Sequence, residues 1–126
     1  MNLFLTILIN NFLYFFISFQ QLPNYTKKWH SDEKNGQIVA SFEEFNGKQD
    51  FKVKRNREGA FMLFYSVNLE DGKLSIEIKS ASKAILQREI SRSLLDSIKL
   101  DNSNGIKYQV IFRAVHARGK FELKYN

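Results

Sequence analysis

The amino-acid sequence predicts an all-β protein: a single antiparallel β-sandwich, jelly-roll-like, of about eight strands, preceded by an apolar N-terminal helix. Three observations support this prediction. After Gly36, polar and apolar side chains alternate at many successive positions, which is typical of strands that bury one face. Pairs of Gly with Asn or Asp interrupt the alternation at short intervals. An uncharged apolar run precedes both features.

The apolar run extends from Leu3 to Phe19 and contains no charged residue, Pro or Gly. Its length lies between a secretory apolar region of about 7 to 15 residues and a membrane span of about 20. Asn10 and Asn11 weaken the spanning interpretation, because unpaired amides are costly in lipid. We therefore expect residues 1–21 to be a signal peptide or a membrane anchor, with cleavage left open. The alternative is that the run belongs to the domain core.

Residues 22–36 are predicted to be a polar tether. Pro23 ends any preceding helix, and charged residues such as Lys27, Lys28 and Asp32 keep the segment solvated. Residues 37–126 then form one β-sandwich domain, because a chain of 126 residues has room for one hydrophobic core.

Within that domain, the segment from Lys73 to Lys79 shows the clearest alternation, with Leu74, Ile76 and Ile78 on one face. Asn-Gly and Asp-Gly pairs predict hairpin turns, since these residues accept the positive φ that tight turns require. Such turns are expected at Asn46-Gly47, Asp71-Gly72 and Asn104-Gly105, with a longer turn over residues 56–59. The predicted strands are Gln37 to Asn46, Gln49 to Arg55, Ala60 to Asn68, Lys73 to Lys79, Ala84 to Ile90, Ser97 to Asp101, Ile106 to Ala114 and Lys120 to Tyr125.

The segment from Ala84 to Leu100 supports two interpretations. Leu86, Ile90 and Leu94 recur at a spacing of four, which is also the apolar stripe of an amphipathic helix. The pattern alone favours a helix; we predict two strands around a turn at residues 91–93, chiefly because the family resemblance described next implies them, and a helix remains the alternative.

Two stretches carry a family resemblance: Asp71-Gly72-Lys73-Leu74-Ser75-Ile76-Glu77-Ile78, and the closing run from Tyr108 to Tyr125 with its Ala117-Arg118-Gly119-Lys120-Phe121-Glu122-Leu123. The chain from Phe42 to Tyr125 resembles small envelope lipoproteins of Gram-positive bacteria and is similar to the pre-peptidase C-terminal domain. The resemblance implies a jelly-roll-like sandwich at the cell envelope and no particular activity. It also implies a lipid-bearing Cys after the apolar run, where this chain has Ser18-Phe19 or Gln20.

Composition excludes several kinds of site. The chain has no Cys, so it has no disulfide, thiolate zinc site or catalytic thiol. His30 and His116 are far apart in the sequence, and Glu43 and Glu44 should point to opposite faces of a strand. The loop from Asp101 to Gly105 has the oxygen-rich start of a Ca²⁺ site but lacks its later acidic ligand. We predict no catalytic, metal-binding or cofactor-binding residues, and no cofactor.

Four residues are candidate ligand contacts. The formal net charge is +6, and Lys54, Arg55 and Arg57 cluster around a predicted hairpin where they could contact an anionic polymer. Trp29 lies among polar residues, so its ring either docks on the sandwich or contacts a partner.

The sequence therefore predicts a non-catalytic accessory or binding module, in the cell envelope on the outer face of the membrane or secreted. Its expected partners are an envelope component or a cell-wall polymer, with membrane contact through residues 1–21. One alternative is a module that binds carbohydrate or cell-wall polymer. The other is a cytosolic OB-like module that binds single-stranded nucleic acid, a partner class that no aromatic RNA-binding signature supports. The oligomeric state stays open.

Overall fold

The structure, a computed structural model, describes residues 24–53, 55, 57–81, 83–101 and 107–126. The described residues form seven strands of one antiparallel sheet, so the all-β prediction is confirmed. The predicted N-terminal helix over residues 1–21 lies outside the described residues. Within the described residues, no helix has the length and apolarity needed to cross a membrane. The strands are β1 Tyr25–Lys27, β2 His30–Lys34, β3 Gln37–Val53, β4 Ala60–Ser80, β5 Lys83–Ile90, β6 Ser93–Asp101 and β7 Tyr108–Tyr125.

The sheet is folded over on itself to make a sandwich. Its strand order is β1-β3-β7-β4-β5, with β2 on the same edge of β3 as β1 and β6 on the same edge of β4 as β5. Strands β3, β4 and β7 are long enough to run through both layers. The first layer comprises β2, residues 37–42, 119–125 and 60–69, and β6; the second comprises β1, residues 45–53, 108–115 and 73–80, and β5.

The three long strands, β3, β4 and β7, cross between the layers along one line, which we call the fold line. The β3 and β7 registers shift between Phe42 and Gly47, and the β4 and β7 registers shift between Leu69 and Lys73. These shifts are bulges, which bend a strand sharply. Residues with positive φ lie along the same line: Lys28, Gly47, Gly72, His116 and Gly119.

Two expected hairpins are therefore wrong. Asn46-Gly47 and Asp71-Gly72 do not reverse the chain; they bend it, and strands β3 and β4 continue through them. A hairpin turn and a bulge both use a residue with positive φ, which Gly supplies readily. The local sequence is therefore the same for a hairpin and for a bend. Consequently two pairs of predicted strands merge into β3 and β4, and the last two merge into β7. The Asn104-Gly105 turn lies outside the described residues.

The predicted polar tether is also wrong where the structure describes it. Residues 25–27 and 30–34 are edge strands hydrogen-bonded to β3, so the sheet begins before Gln37. Every side chain of β2 is exposed. Such a strand is held by backbone hydrogen bonds alone, so all of its side chains can be polar. Its composition is therefore the same as that of a solvated linker.

The two-strand interpretation of residues 84–100 is confirmed. β5 and β6 follow the same edge of β4, one in each layer, and residues 91–92 carry the chain across the fold line. The backbone N–H of Leu69 donates to the carbonyl of Arg92 at this crossing. The spacing of four has a simple origin, since an even spacing keeps side chains on one face of a strand: Ile90 is buried, and Leu86, Leu94 and Ile98 pack against the core.

One hydrophobic core fills the space between the layers. Aromatic rings from both layers meet there: Phe121 of the first layer stacks on Phe112 of the second with ring centroids 3.9 Å apart, and Phe51 meets Phe121 edge-on at 5.6 Å. At the end opposite the fold line, the Tyr108 hydroxyl donates to the Asp101 carbonyl at 2.7 Å, linking β7 to β6. The core therefore holds the two outward faces of the sandwich rigidly apart.

Two ion pairs and a hydrogen bond mark the fold line on the surface. Lys28 pairs with Glu43 at 3.1 Å and Arg118 with Glu70 at 3.0 Å, and His116 Nδ1 is hydrogen-bonded to Glu44 Oε1 at 2.8 Å. Glu43 and Glu44 thus have separate partners, as their expected opposite orientation requires. These groups are largely exposed, so each pair contributes little to stability.

Candidate functional site

The outward side of the second layer carries a regular array of polar side chains, which we call the polar face. The strand register aligns these side chains in rows across four strands. Glu77 on β4 lies between Ile111 on β7 and Gln87 on β5, and Ser75 lies between Arg113 and Glu89. The polar face comprises Lys48, Asp50, Lys52, Ser75, Glu77, Lys79, Gln87, Glu89, Gln109, Ile111 and Arg113.

The centre of the polar face is sunken. Ile111 is only 2% exposed and Glu77 only 6% exposed, although both side chains point away from the main core. The depression beside them has a volume of about 360 Å³. It is lined by Ser75, Ile76, Glu77, Gln87, Arg88, Glu89 and Arg113. A ligand lying across the sheet would find a preformed recess there.

Glu77 is held by hydrogen bonds on both carboxylate oxygens. Gln87 Nε2 donates to Oε2 at 2.6 Å, and Arg113 Nη1 donates to Oε1 at 3.0 Å. These donors, Gln87 foremost, hold the pKa of the Glu77 carboxyl below its ordinary value of 4.5, although burial acts in the opposite direction. The carboxylate is therefore ionised and fixed in orientation before any ligand arrives.

The lowered pKa predicts a pH-dependent contribution to stability. Ionised Glu77 should stabilise the fold at pH values above 4.5, and this contribution should be lost as the pH falls through the lower folded-state pKa. Glu77→Gln should reduce the free energy of unfolding by about 1–2 kcal/mol at neutral pH and by much less near pH 2. Urea unfolding at both pH values measures the difference.

Glu58→Gln, in the exposed loop after β3, corrects for the change in net charge. An equal loss of unfolding free energy for Glu77→Gln at both pH values would contradict the lowered pKa of Glu77.

The rim of the polar face is also paired. Gln109 Nε2 donates to Asp50 Oδ2 at 3.2 Å, and Lys48 Nζ lies 3.5 Å from the same oxygen. The polar face carries four cationic side chains, Lys48, Lys52, Lys79 and Arg113, and three carboxylates, Asp50, Glu77 and Glu89. It therefore offers hydrogen-bond donors and acceptors in near balance rather than a concentrated positive charge.

The candidate ligand contacts predicted from sequence lie elsewhere. Trp29 docks on the core, stacking on Phe42 at 5.6 Å and meeting Phe45 edge-on at 5.5 Å. Arg55 organises the loop between β3 and β4: its Nη1 donates to the carbonyl of Gly59 at 3.0 Å, and its guanidinium lies 4.7 Å from the centre of the Phe61 ring.

Arg57 is exposed in the same loop, and its carbonyl accepts from Arg55 at 3.2 Å. Lys54 lies outside the described residues. The loop is thus an internally bonded connection in its described part.

Sequence reasoning missed the residues of the polar face. Alternation places Glu77 on the outward side of its strand, but only the register shows that Gln87 and Arg113 lie on either side of it. One signal was available: Gln87, Gln109 and Arg113 are long hydrogen-bonding side chains at outward positions of predicted strands. Among the described residues, no cluster of three or more metal-ligating side chains occurs.

Comparisons with known proteins give structural likeness only. No family model matches the chain, and no curated protein matches its sequence, so the resemblance to envelope lipoproteins stays a prediction. A module in the solved structure of TmCBM61 with β-1,4-galactotriose is 11% identical, with a TM-score of 0.47, covering 80% of this chain and 87% of that one.

A CBM4 structure is 4% identical, with a TM-score of 0.40 over 79% of this chain and 76% of that one. A family 29 carbohydrate-binding module complexed with mannohexaose is 19% identical, with a TM-score of 0.40 over 82% and 77%. These values describe a loose likeness in strand arrangement, and no functional residue is transferred from it.

Proposed function

We propose that this protein is a non-catalytic binding module of the cell envelope, or a secreted one, that binds a hydroxyl-rich polysaccharide such as a cell-wall polymer across its polar face. One observation carries the proposal. A buried, ionised carboxylate, Glu77, is fixed between Gln87 and Arg113 beside a recess of about 360 Å³. Groups fixed in this way bind a ligand without further ordering, which favours affinity.

The chemistry of the polar face suits sugar hydroxyls. A hydroxyl group donates one hydrogen bond and accepts others, so it requires donors and acceptors side by side. Arg113 supplies donors, Glu89 supplies acceptors, and Ser75 and Gln87 supply both. Polyphosphate ligands, including nucleic acids, fit less well because two carboxylates, Glu77 and Glu89, line the recess itself and would repel them.

The geometry favours binding over catalysis. A glycoside-cleaving site requires a general acid whose pKa is raised, together with a second carboxylate. The pKa of Glu77 is shifted downward, and both of its oxygens already accept hydrogen bonds. Glu77 is therefore poorly suited to donate a proton and well suited to orient its neighbours.

The apolar run from Leu3 to Phe19 supports placement outside the cytoplasm, as a secretion signal or an anchor. A wall polymer would then be the nearest polysaccharide available to the polar face.

Replacement of Arg113 tests the proposal. Arg113→Ala removes a donor from the recess and leaves Glu77 with one fewer partner, so we expect the affinity for isolated wall polysaccharide to fall about tenfold or more. Depletion of the full-length protein from solution by increasing amounts of insoluble polymer measures the affinity.

Arg118→Ala is the matched control. Arg118 is an exposed Arg that pairs with Glu70 on the fold line, away from the polar face. The Arg118→Ala variant should bind the wall polysaccharide as the wild type does. The fluorescence of Trp29 should show that both variants are folded. Equal affinities for the two variants would contradict the proposed site.

A further inference from the structure

The outward side of the first layer carries an apolar patch. Met62 and Phe64 are neighbours on the same face of β4, and they are 39% and 48% exposed. Leu95 on β6 is paired with Ser66, diagonally beside Phe64, and is 79% exposed. Diagonal neighbours on one sheet face are close enough for large side chains to touch. Met62, Phe64 and Leu95, which we call the apolar patch, thus form a continuous surface.

Lysines flank the apolar patch. The register places Lys99 beside Met62, and Lys124 beside Phe64. Two carboxylates lie near the apolar patch on this face: Glu122, which already accepts a hydrogen bond from Gln37 at 3.0 Å, and Asp101, which the register places beside Ala60 at the end of β6. Exposed apolar side chains surrounded by Lys are the arrangement by which proteins insert shallowly into anionic lipid headgroups.

The chain is also placed to reach a membrane in this orientation. The apolar run ends at Phe19, five residues before Asn24, and five residues span at most about 17 Å. The first described strand, β1, belongs to the second layer, and packed layers are about 10 Å apart. A run held in the bilayer would therefore leave enough chain for the first layer to lie against the same surface.

From these observations we propose that the apolar patch and its lysines are a second binding surface, which docks the domain on an anionic membrane. The polar face then points away from the membrane, because the two surfaces lie on opposite sides of the sandwich. Docking would hold the polysaccharide-binding face toward the wall. This surface does not depend on the polar face, so either proposal can fail without the other.

The absence of Cys from the sequence allows a direct test. Ser93→Cys places a single fluorescent label on the outward side of the first layer, two residues from Leu95, and Ala84→Cys places the same label on an exposed strand of the second layer. Full-length protein is mixed with phosphatidylglycerol vesicles that carry a nitroxide-labelled lipid, and quenching is compared at the two positions.

We expect quenching at Ser93→Cys to exceed quenching at Ala84→Cys at least about threefold. Adding Phe64→Ser, or replacing the anionic lipid with phosphatidylcholine, should reduce the excess to the control value, because each change removes one part of the attraction. Equal quenching at the two positions would overturn the proposal. An excess that survives both changes would overturn the proposal too. So would a Ser93→Cys label that becomes more shielded as the protein concentration rises in the absence of lipid, because the patch would then pair with a second copy of the chain.

Discussion

Phe121→Ala should lower the free energy of unfolding by about 3–5 kcal/mol, the usual cost of deleting a buried aromatic ring. Phe121 is 1% exposed and contacts rings from both layers, including Phe112, Phe51 and Trp29. The substitution would leave a cavity that neither layer can close alone, because the layers are fixed to each other along the fold line. Urea unfolding followed by the fluorescence of Trp29 measures the loss.

Leu95→Ala is the control, because it truncates an apolar side chain that is 79% exposed. Its free energy of unfolding should stay within about 0.5 kcal/mol of the wild type. Comparable losses for Phe121→Ala and Leu95→Ala would mean that the two layers do not share a core.

Gly72→Ala should also be strongly destabilising, by about 3 kcal/mol or more. Gly72 has φ of +81°, and an added Cβ would lie 2.1 Å from the carbonyl oxygen of His116 and 2.6 Å from Cα of Ala117. The left-handed conformation costs a non-Gly residue about 1–2 kcal/mol, and forcing apart two backbones adds about 1–3 kcal/mol. The substitution would separate β4 from β7 at the fold line.

Gly59→Ala separates these two contributions. Gly59 also has a positive φ, +104°, but an added Cβ would meet nothing within 4 Å. Gly59→Ala should lower the free energy of unfolding only by the cost of the left-handed conformation, about 1–2 kcal/mol. Thermal or urea unfolding of both variants gives the comparison, and equal losses would show that close packing at the fold line contributes nothing.

The fold class could be predicted from sequence because alternation depends only on which side of a strand is buried. Leu74, Ile76 and Ile78 are buried as the pattern predicts. The path of the chain was less predictable. Gly47 and Gly72 have the local chemistry of a hairpin, and only pairing with β7, distant in sequence, makes them bends.

The candidate site could not be predicted for the same reason. Gln87, Glu77 and Arg113 belong to three strands, and their contact depends on a register that no single segment encodes. Trp29 and Arg55, an aromatic ring and a basic residue in polar segments, were predicted to contact a ligand. Both instead make contacts within the fold, since a large ring and a guanidinium can also pack or bond locally.

The most direct test of the central claim is to map the bound ligand by amide chemical shifts. A soluble oligosaccharide released from the wall polymer is titrated into isotopically labelled protein. We predict that the largest shifts occur at Ser75, Glu77, Gln87 and Arg113. Shifts confined to the loop around Arg57 or to the first layer around Phe64, with no change on the polar face, would contradict the claim.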